Sequence, residues 1–393
     1  MKITFFSNFL NHHQLPFCNE MIKLLGNDFR FVATEKIPED RIKLGYEDMN
    51  KKYDFVVCSY ENEDETIKLG KESDVVIIGS APSKYIKERL KQKKLTFRYS
   101  ERVFKNGFRI KTFLSILLKR TFLEKNNTYL LCASAYSARD YNLAGAYKNK
   151  CYKWGYFPEI IEYVDINKVI SNKKRNTILW VARFIDVKHP EAVIKLAKKL
   201  KETKINFTIN MIGIGELKEG IEKMIIDNNL SNNINLLGSM SPQAVRKNME
   251  ESQIFIFTSD KREGWGAVLN EAMNSGCAVV ASHAIGSVPF LINDKENGLI
   301  YEDGNIEDLY NKVKSLLDNN EECKILGQVA YKTMLNLWNP KTATERIIEL
   351  SNSLLKNNNF NKYNNGPCSI AKKIKDDWYS DYKNYENNKE NKK

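Results

Sequence analysis

The chain has 393 residues, 42% of them hydrophobic and 11% aromatic, and a formal net charge of +12. That length and apolar content exclude a disordered chain and suit two domains of ordinary size, while the basic balance asks for an anionic partner, whether nucleic acid, anionic lipid or a phosphorylated small molecule. No apolar run approaches the ~20 residues of a membrane span, the N-terminal MKITFFSNFLNHHQ turns polar too soon for a signal peptide, and seven cysteines without a CxxC read as reduced thiols of a cytoplasmic protein.

Short apolar runs alternate with amphipathic stretches along the chain. The first half predicts strands at 2–8, 29–34, 53–59, 74–80, 95–100, 129–135 and 151–157, with helices between them, one of them ending at Gly26 as a C′ glycine. Residues 101–125 mix Phe104, Phe108, Phe113, Ile116, Leu117 and Phe122 with Arg102, Lys105, Arg109, Lys111, Lys119 and Arg120. A basic, aromatic amphipathic segment suits an anionic membrane interface, and equally a packed helix with a solvated basic face. The polar stretch 171–176 marks a break. The second half then predicts strands at 177–183, 206–213, 233–238, 254–259, 278–282 and 298–301. Continuous apolar strands alternating with helices read as parallel sheets covered on both faces, so the expected class is α/β with two Rossmann-like domains. The expected division is an N-terminal domain over 1–171, a C-terminal domain over 172–340, a helix over 341–356 crossing back to the first domain, and an Asn/Lys-rich tail over 357–393 that reads as disordered or loosely docked.

Four constellations carry chemistry. In SNFLNHHQLPF (7–17) a polar loop follows the first strand, where such sheets bind ligands. It makes His13 a catalytic candidate and Asn8 a donor-binding one, although helix capping explains the loop equally well. His12 and His13 lack a third ligand at metal-site spacing. Arg183 and Lys188 stand five positions apart at the end of a strand, placed to clamp a diphosphate. Gly213 and Gly215, in MIGIGE, allow a tight turn and close backbone approach, without a full dinucleotide fingerprint. Last, SDKREGWGAVLNEAMNSGCAVVAS (259–282) carries Glu263 and Glu271 eight positions apart, around Gly264, Trp265 and Gly266. Glycines at the start of a helix let backbone N–H groups meet a phosphate, and a carboxylate nearby accepts two hydrogen bonds from a vicinal diol. The arrangement suits a nucleoside diphosphate joined to another polyol.

The second half resembles the retaining glycosyltransferases of family four. The resemblance rests on E-x7-E in EGWGAVLNE followed by AMNSGCAVVA, R-x4-K in ARFIDVK, the IGIGE turn, INLLG and ENGLIYEDGN, in the family's order over about 175–345. It implies the GT-B fold, with the active site in the cleft between the two domains. It implies that Glu263 contacts the donor sugar, Glu271 the ribose hydroxyls, and Arg183 and Lys188 the diphosphate, with backbone contacts from Gly264, Trp265 and Gly266. It also implies retention of anomeric configuration without a metal. One departure lies in AIGSVPFLI (284–292), where Gly286-Ser287 and Phe290 replace the family's Gly-Gly pair and acid.

The expectation is therefore an enzyme that moves a sugar from a nucleotide diphosphate sugar to a glycan or lipid-linked acceptor. It needs no cofactor and works in the cytoplasm or peripherally on the inner face of the cell membrane, in polysaccharide assembly. A sugar-nucleotide epimerase or phosphorylase on the same fold is the nearest alternative. A basic nucleic-acid-binding module is the other, and no nucleic acid is expected because no basic strip with base-stacking aromatics is present.

Overall fold

A computed structural model describes residues 1–39, 42, 47–124 and 126–383. Lys125 of the basic segment and residues 384–393 of the tail lie outside the described residues.

Each predicted strand forms. The first sheet holds β1 (Ile3–Ser7), β2 (Phe29–Ala33), β3 (Val56–Cys58), β4 (Val75–Ile78), β5 (Thr96–Ser100), β6 (Thr128–Cys132) and β7 (Cys151–Lys153), all parallel, in the order β3-β2-β1-β4-β5-β6-β7. The second sheet holds β8 (Lys174–Val181), β9 (Thr208–Ile212), β10 (Ile234–Gly238), β11 (Ser252–Phe257), β12 (Ala278–Ser282) and β13 (Leu299–Tyr301), parallel, in the order β10-β9-β8-β11-β12-β13. Both orders are the doubly wound Rossmann pattern, as expected. Each reverses direction once, between β1 and β4 in the first sheet and between β8 and β11 in the second.

The strands are near-continuous apolar runs because helices cover both faces. Ile178, Trp180, Ile209, Met211, Ile254 and Ile256 are all buried in one core with Val193, Leu196 and Leu200 of the helix Pro190–Glu202. That helix begins on a proline at its first turn, where no amide bond is lost. Others start on side-chain caps, such as Ser241 accepting from the Ala244 amide at 3.3 Å and Asn339 from the Thr342 amide at 2.7 Å.

The described chain divides into two compact units, one of residues 1–159 and 338–374, the other of 160–337 with the stretch from 375. The boundary falls near 159 rather than at 171. The helix Ile166–Ser171 belongs to the second unit, where Ile166 and Ile170 lie so close to Gly276 that a Cβ there would meet Ile170 at 2.9 Å. The polar stretch 171–176 is the end of that helix and the start of β8. The helix Pro340–Leu355 packs against the helix Leu15–Leu25 in the first unit. The tail beyond 357 is neither loose nor disordered as far as 383. Cys368 is buried, the Ala371 amide donates to the Cys151 carbonyl at 3.0 Å, and Tyr379 is buried in the second unit. Few apolar residues in an Asn/Lys-rich tail suffice when each is used. All seven cysteines are buried free thiols.

Candidate active site

The loops after β8, β9 and β11 leave the C-terminal edge of the second sheet on either side of its point of reversal, where doubly wound sheets bind ligands. They carry Arg183 and Lys188, Gly213 and Gly215, and Glu263 respectively.

Backbone contacts fix the first two loops to each other. Past the strand ends, the Ala182 amide donates to the Ile212 carbonyl at 3.1 Å and the Phe184 amide to the Ile214 carbonyl at 2.9 Å. A Cβ on Gly213 would stand 1.8 Å from the Ala182 carbonyl oxygen, and one on Gly215 2.4 Å from that of Phe184. Gly213 also has φ +143°, which side chains rarely adopt. The close approach predicted for these glycines is thus made to the chain around Arg183. Arg183 itself is exposed and forms no ion pair among the described residues.

Lys188 is held from both sides. Its carbonyl accepts from the Thr258 hydroxyl at 2.6 Å, which in turn accepts from the Trp180 indole at 2.9 Å. Its ammonium forms an ion pair with Glu263 and lies 5.9 Å from the centre of the Phe257 ring. The Ser259 hydroxyl donates to the same Glu263 oxygen at 3.2 Å. Both members of the pair are largely buried, at 17% and 14% exposure. Beside them, His189 bonds Glu191 at 2.8 Å and Asp260 at 3.0 Å, and Arg262 bridges Asp260 and Asp186. The bond to Glu191, followed by that to Asp260, holds the imidazolium up to about 9 against the opposing effect of burial. This network ties the loop 186–189 to the loop 259–263.

Gly266 has φ +80°, and a Cβ there would strike the Phe257 ring at 2.4 Å, so packing and backbone alone demand a glycine. Trp265 is fully buried, its indole donating to Asn270 at 3.0 Å, which leaves only its backbone for a ligand. The helix that follows, Val268–Asn274, carries Glu271. Glu271 is half-buried, and its carboxylate has no hydrogen-bond partner among the described residues. Burial pushes its carboxyl above the ordinary value, and the nearby Arg246 guanidinium offsets part of that. Arg246 donates to the Glu271 carbonyl at 3.1 Å, to Asn274 at 3.0 Å and to Ser275 at 3.1 Å, fixing the end of the helix. The departing loop at 284–292 is tied in as well, through the Gly286 amide and the Glu263 carbonyl at 3.2 Å.

In the first unit the loop 7–14 follows β1 at the corresponding reversal. It is largely satisfied by itself. Asn11 accepts from the His13 and Gln14 amides at 3.0 and 3.2 Å, Gln14 donates to Ser7 at 3.2 Å, and Asn8 accepts from Ser7 at 3.2 Å. His13 stacks on Tyr156 with centroids 6.3 Å apart, and Tyr156 donates to Glu101 at 2.8 Å. Among the described residues no group of three or more His, Cys, Asp and Glu side chains could hold a metal ion. The chain after β5 and the helix Ser137–Leu143 after β6 meet through Asp140, which accepts from the Val103 and Phe104 amides at 3.0 Å each and pairs with Arg102 at 3.5 Å.

Sequence reasoning missed His189, Asp260, Arg262 and Arg246. For His189 a signal existed, since HPE directly after Lys188 places a histidine at a helix start two residues from a carboxylate. Arg246 left none, because only the fold brings residue 246 against 271.

Residues 164–333 match the family described as glycosyl transferases group 1. Similar proteins include an uncharacterised glycosyltransferase of Methanocaldococcus jannaschii, 31% identical over 207 residues, which are 52% of this chain and 53% of that protein. Another is the poly(ribitol-phosphate) alpha-N-acetylglucosaminyltransferase of Staphylococcus aureus, 29% identical over 174 residues, 44% of this chain and 34% of that protein. The chain thus spans about half or less of the length of these relatives. Among solved structures, Anabaena HepE in complex with UDP superposes with a TM-score of 0.67 at 15% identity, over 90% of this chain and 100% of that one. That likeness shows the fold, the two Rossmann-like units of the GT-B class.

Proposed function

We propose that the chain is a retaining glycosyltransferase that takes a nucleotide diphosphate sugar as donor. The carrying observation is that Arg183, Lys188 and Glu263 occupy the loops flanking the reversal of the second sheet, followed by the unpartnered Glu271 carboxylate. Glu271 accepts from the two ribose hydroxyls. Arg183 and Lys188 bind the diphosphate and offset the charge it gains as the sugar leaves, which suits a reaction without a metal. Backbone at Gly264, Trp265, Gly266, Gly213 and Gly215 completes the donor site. Glu263 accepts from sugar hydroxyls as the ring flattens towards an oxocarbenium. With no nucleophile assigned, the leaving phosphate takes the acceptor's proton on the same face, and retention follows. His13 and Asn8 serve the first unit's part of the reaction. The match over 164–333 and the UDP held by HepE support this reading.

The acceptor is a glycan or lipid-linked glycan met at the inner membrane surface; the S. aureus relative is named for a polymeric acceptor, poly(ribitol-phosphate). A panel of nucleotide sugars incubated with the protein tests the reading. One donor should be hydrolysed slowly, and an acceptor should raise release of nucleoside diphosphate and yield the product of the same anomeric configuration. Excess EDTA should leave the rate unchanged. Inverted product, or activity lost to EDTA and restored by a divalent cation, overturns the corresponding part. Conversion of the donor to an epimer, without release of nucleoside diphosphate, favours the epimerase instead.

A further inference from the structure

The segment after β5 turns its apolar residues to solvent. Ile110, Leu114, Leu118 and Phe122 recur every four positions along the helix Ile110–Ile116 and the π-helical turn Leu117–Leu123 that continues it, so they share one face. They are 60, 46, 61 and 64% exposed, and Phe108, just before the helix, is 61% exposed. Single exposed apolar residues need no explanation, but four on one face do. Loose packing does not account for them, because the opposite face is fastened. Ile116 is buried, the Thr121 hydroxyl donates to the Ala144 carbonyl at 2.7 Å, and Glu124 is buried between Arg98 at 2.7 Å and Tyr147 at 2.5 Å.

The charges beside the stripe have one sign. Arg109, Lys111 and Lys119 are exposed and form no ion pair among the described residues. Lys111 and Lys119 each follow a stripe residue by one position and so line its flank. Residues 102–123 contain no Asp or Glu. A protein partner's apolar patch would match the stripe but not this cationic flank. Among the described residues no helix is long and apolar enough to cross a membrane.

We infer that this face docks in the boundary between headgroups and acyl chains of an anionic lipid bilayer, with Phe108, Leu114, Leu118 and Phe122 inserted and Arg109, Lys111 and Lys119 at the headgroups. The inference deepens the membrane-surface reading proposed above. Co-sedimentation of the full chain tests it, with vesicles of phosphatidylcholine alone and of phosphatidylcholine mixed with phosphatidylglycerol. The protein should sediment with the anionic vesicles at low salt and be released as salt rises. Changing Arg109, Lys111 and Lys119 together to Gln should lower partitioning roughly a hundredfold. Leu118→Ser with Phe122→Ser should lower it comparably, while donor hydrolysis continues and shows the variants folded. Absence of wild-type binding, equal binding to neutral vesicles, or an unaffected triple Gln variant overturns the inference. So does a vesicle-free oligomer that the Ser variant disperses, since the face would then serve a second copy. Vesicle binding without any donor hydrolysis would sink the transferase reading and leave the docking face standing.

Discussion

Lys188 and Glu263, 75 positions apart in sequence, close an ion pair where the loops after β8 and β11 meet. The pair gives each residue two partners to choose between. In the proposed donor site a diphosphate would compete with Glu263 for the ammonium, and sugar hydroxyls would compete with the ammonium for the carboxylate. Glu263→Gln should therefore lower turnover roughly a hundredfold, about 3 kcal/mol, while nucleoside diphosphate binds as well or more tightly. Calorimetry on the variant, beside its turnover, checks both halves. Weaker binding of nucleoside diphosphate would count against the competition.

The Arg183 side chain is exposed and forms no ion pair among the described residues, so its removal should cost the fold little. Arg183→Ala should weaken nucleoside diphosphate binding by about 1.5–3 kcal/mol, leave nucleoside binding nearly unchanged, and leave the melting temperature where it is. A matching loss for nucleoside alone would remove Arg183 from the phosphates.

Gly213→Ala should show the opposite profile. Its new methyl meets the Ala182 carbonyl, so the loop bearing Arg183 must shift. A strained backbone of this kind costs about 1–3 kcal/mol, so a lower melting temperature should accompany the loss of diphosphate affinity. A variant that melts like wild type and binds nucleoside diphosphate normally would show that the turn tolerates the methyl.

The His189 imidazolium gives the second unit a pH signature. Its folded value of about 9 lies above the ordinary 6.5. The folded state therefore holds the proton more tightly, and the stabilisation is complete below about 6.5 and is lost as pH rises through about 9. Chemical denaturation across that window should show wild type losing stability and His189→Gln losing less. Identical slopes would mean that the bonds to Glu191 and Asp260 do not hold the proton.

Glu271 gives ligand binding a pH dependence of its own. In the proposed donor site only its ionised form would accept from both ribose hydroxyls, and burial raises its proton affinity. On acidification, nucleoside binding should begin to fall above the ordinary carboxylate range, and a nucleoside lacking the ribose hydroxyls should show no such fall. Glu271→Gln should flatten the profile. A profile that persists in the variant assigns the titration elsewhere.

Much of this was legible in the sequence. The strands could be read because β strands buried on both faces need unbroken apolar runs, and Glu263, Glu271, Arg183 and Lys188 stood out because a short motif spacing carries them. The boundary near 159 was not legible. The polar residues at 171–176 look like a linker, while Ile166 and Ile170 are recognisable as core only once Gly276 is beside them. The partners of the glycines were not legible. Gly213 and Gly266 are required by the Ala182 carbonyl and the Phe257 ring, contacts that no local pattern encodes. The ordered tail was hidden by its composition, since Cys368 and Tyr379 are single anchors among Asn and Lys.

The helix Pro340–Leu355 completes the first unit with residues made more than three hundred positions after the helix Leu15–Leu25 it covers. As the chain leaves the ribosome, the first unit stays unfinished, with the apolar side of that early helix uncovered, while most of the second unit has already emerged. Contacts that distant in sequence form slowly, and surface left open in the meantime invites aggregation. The unit synthesised first is thus the later to be completed.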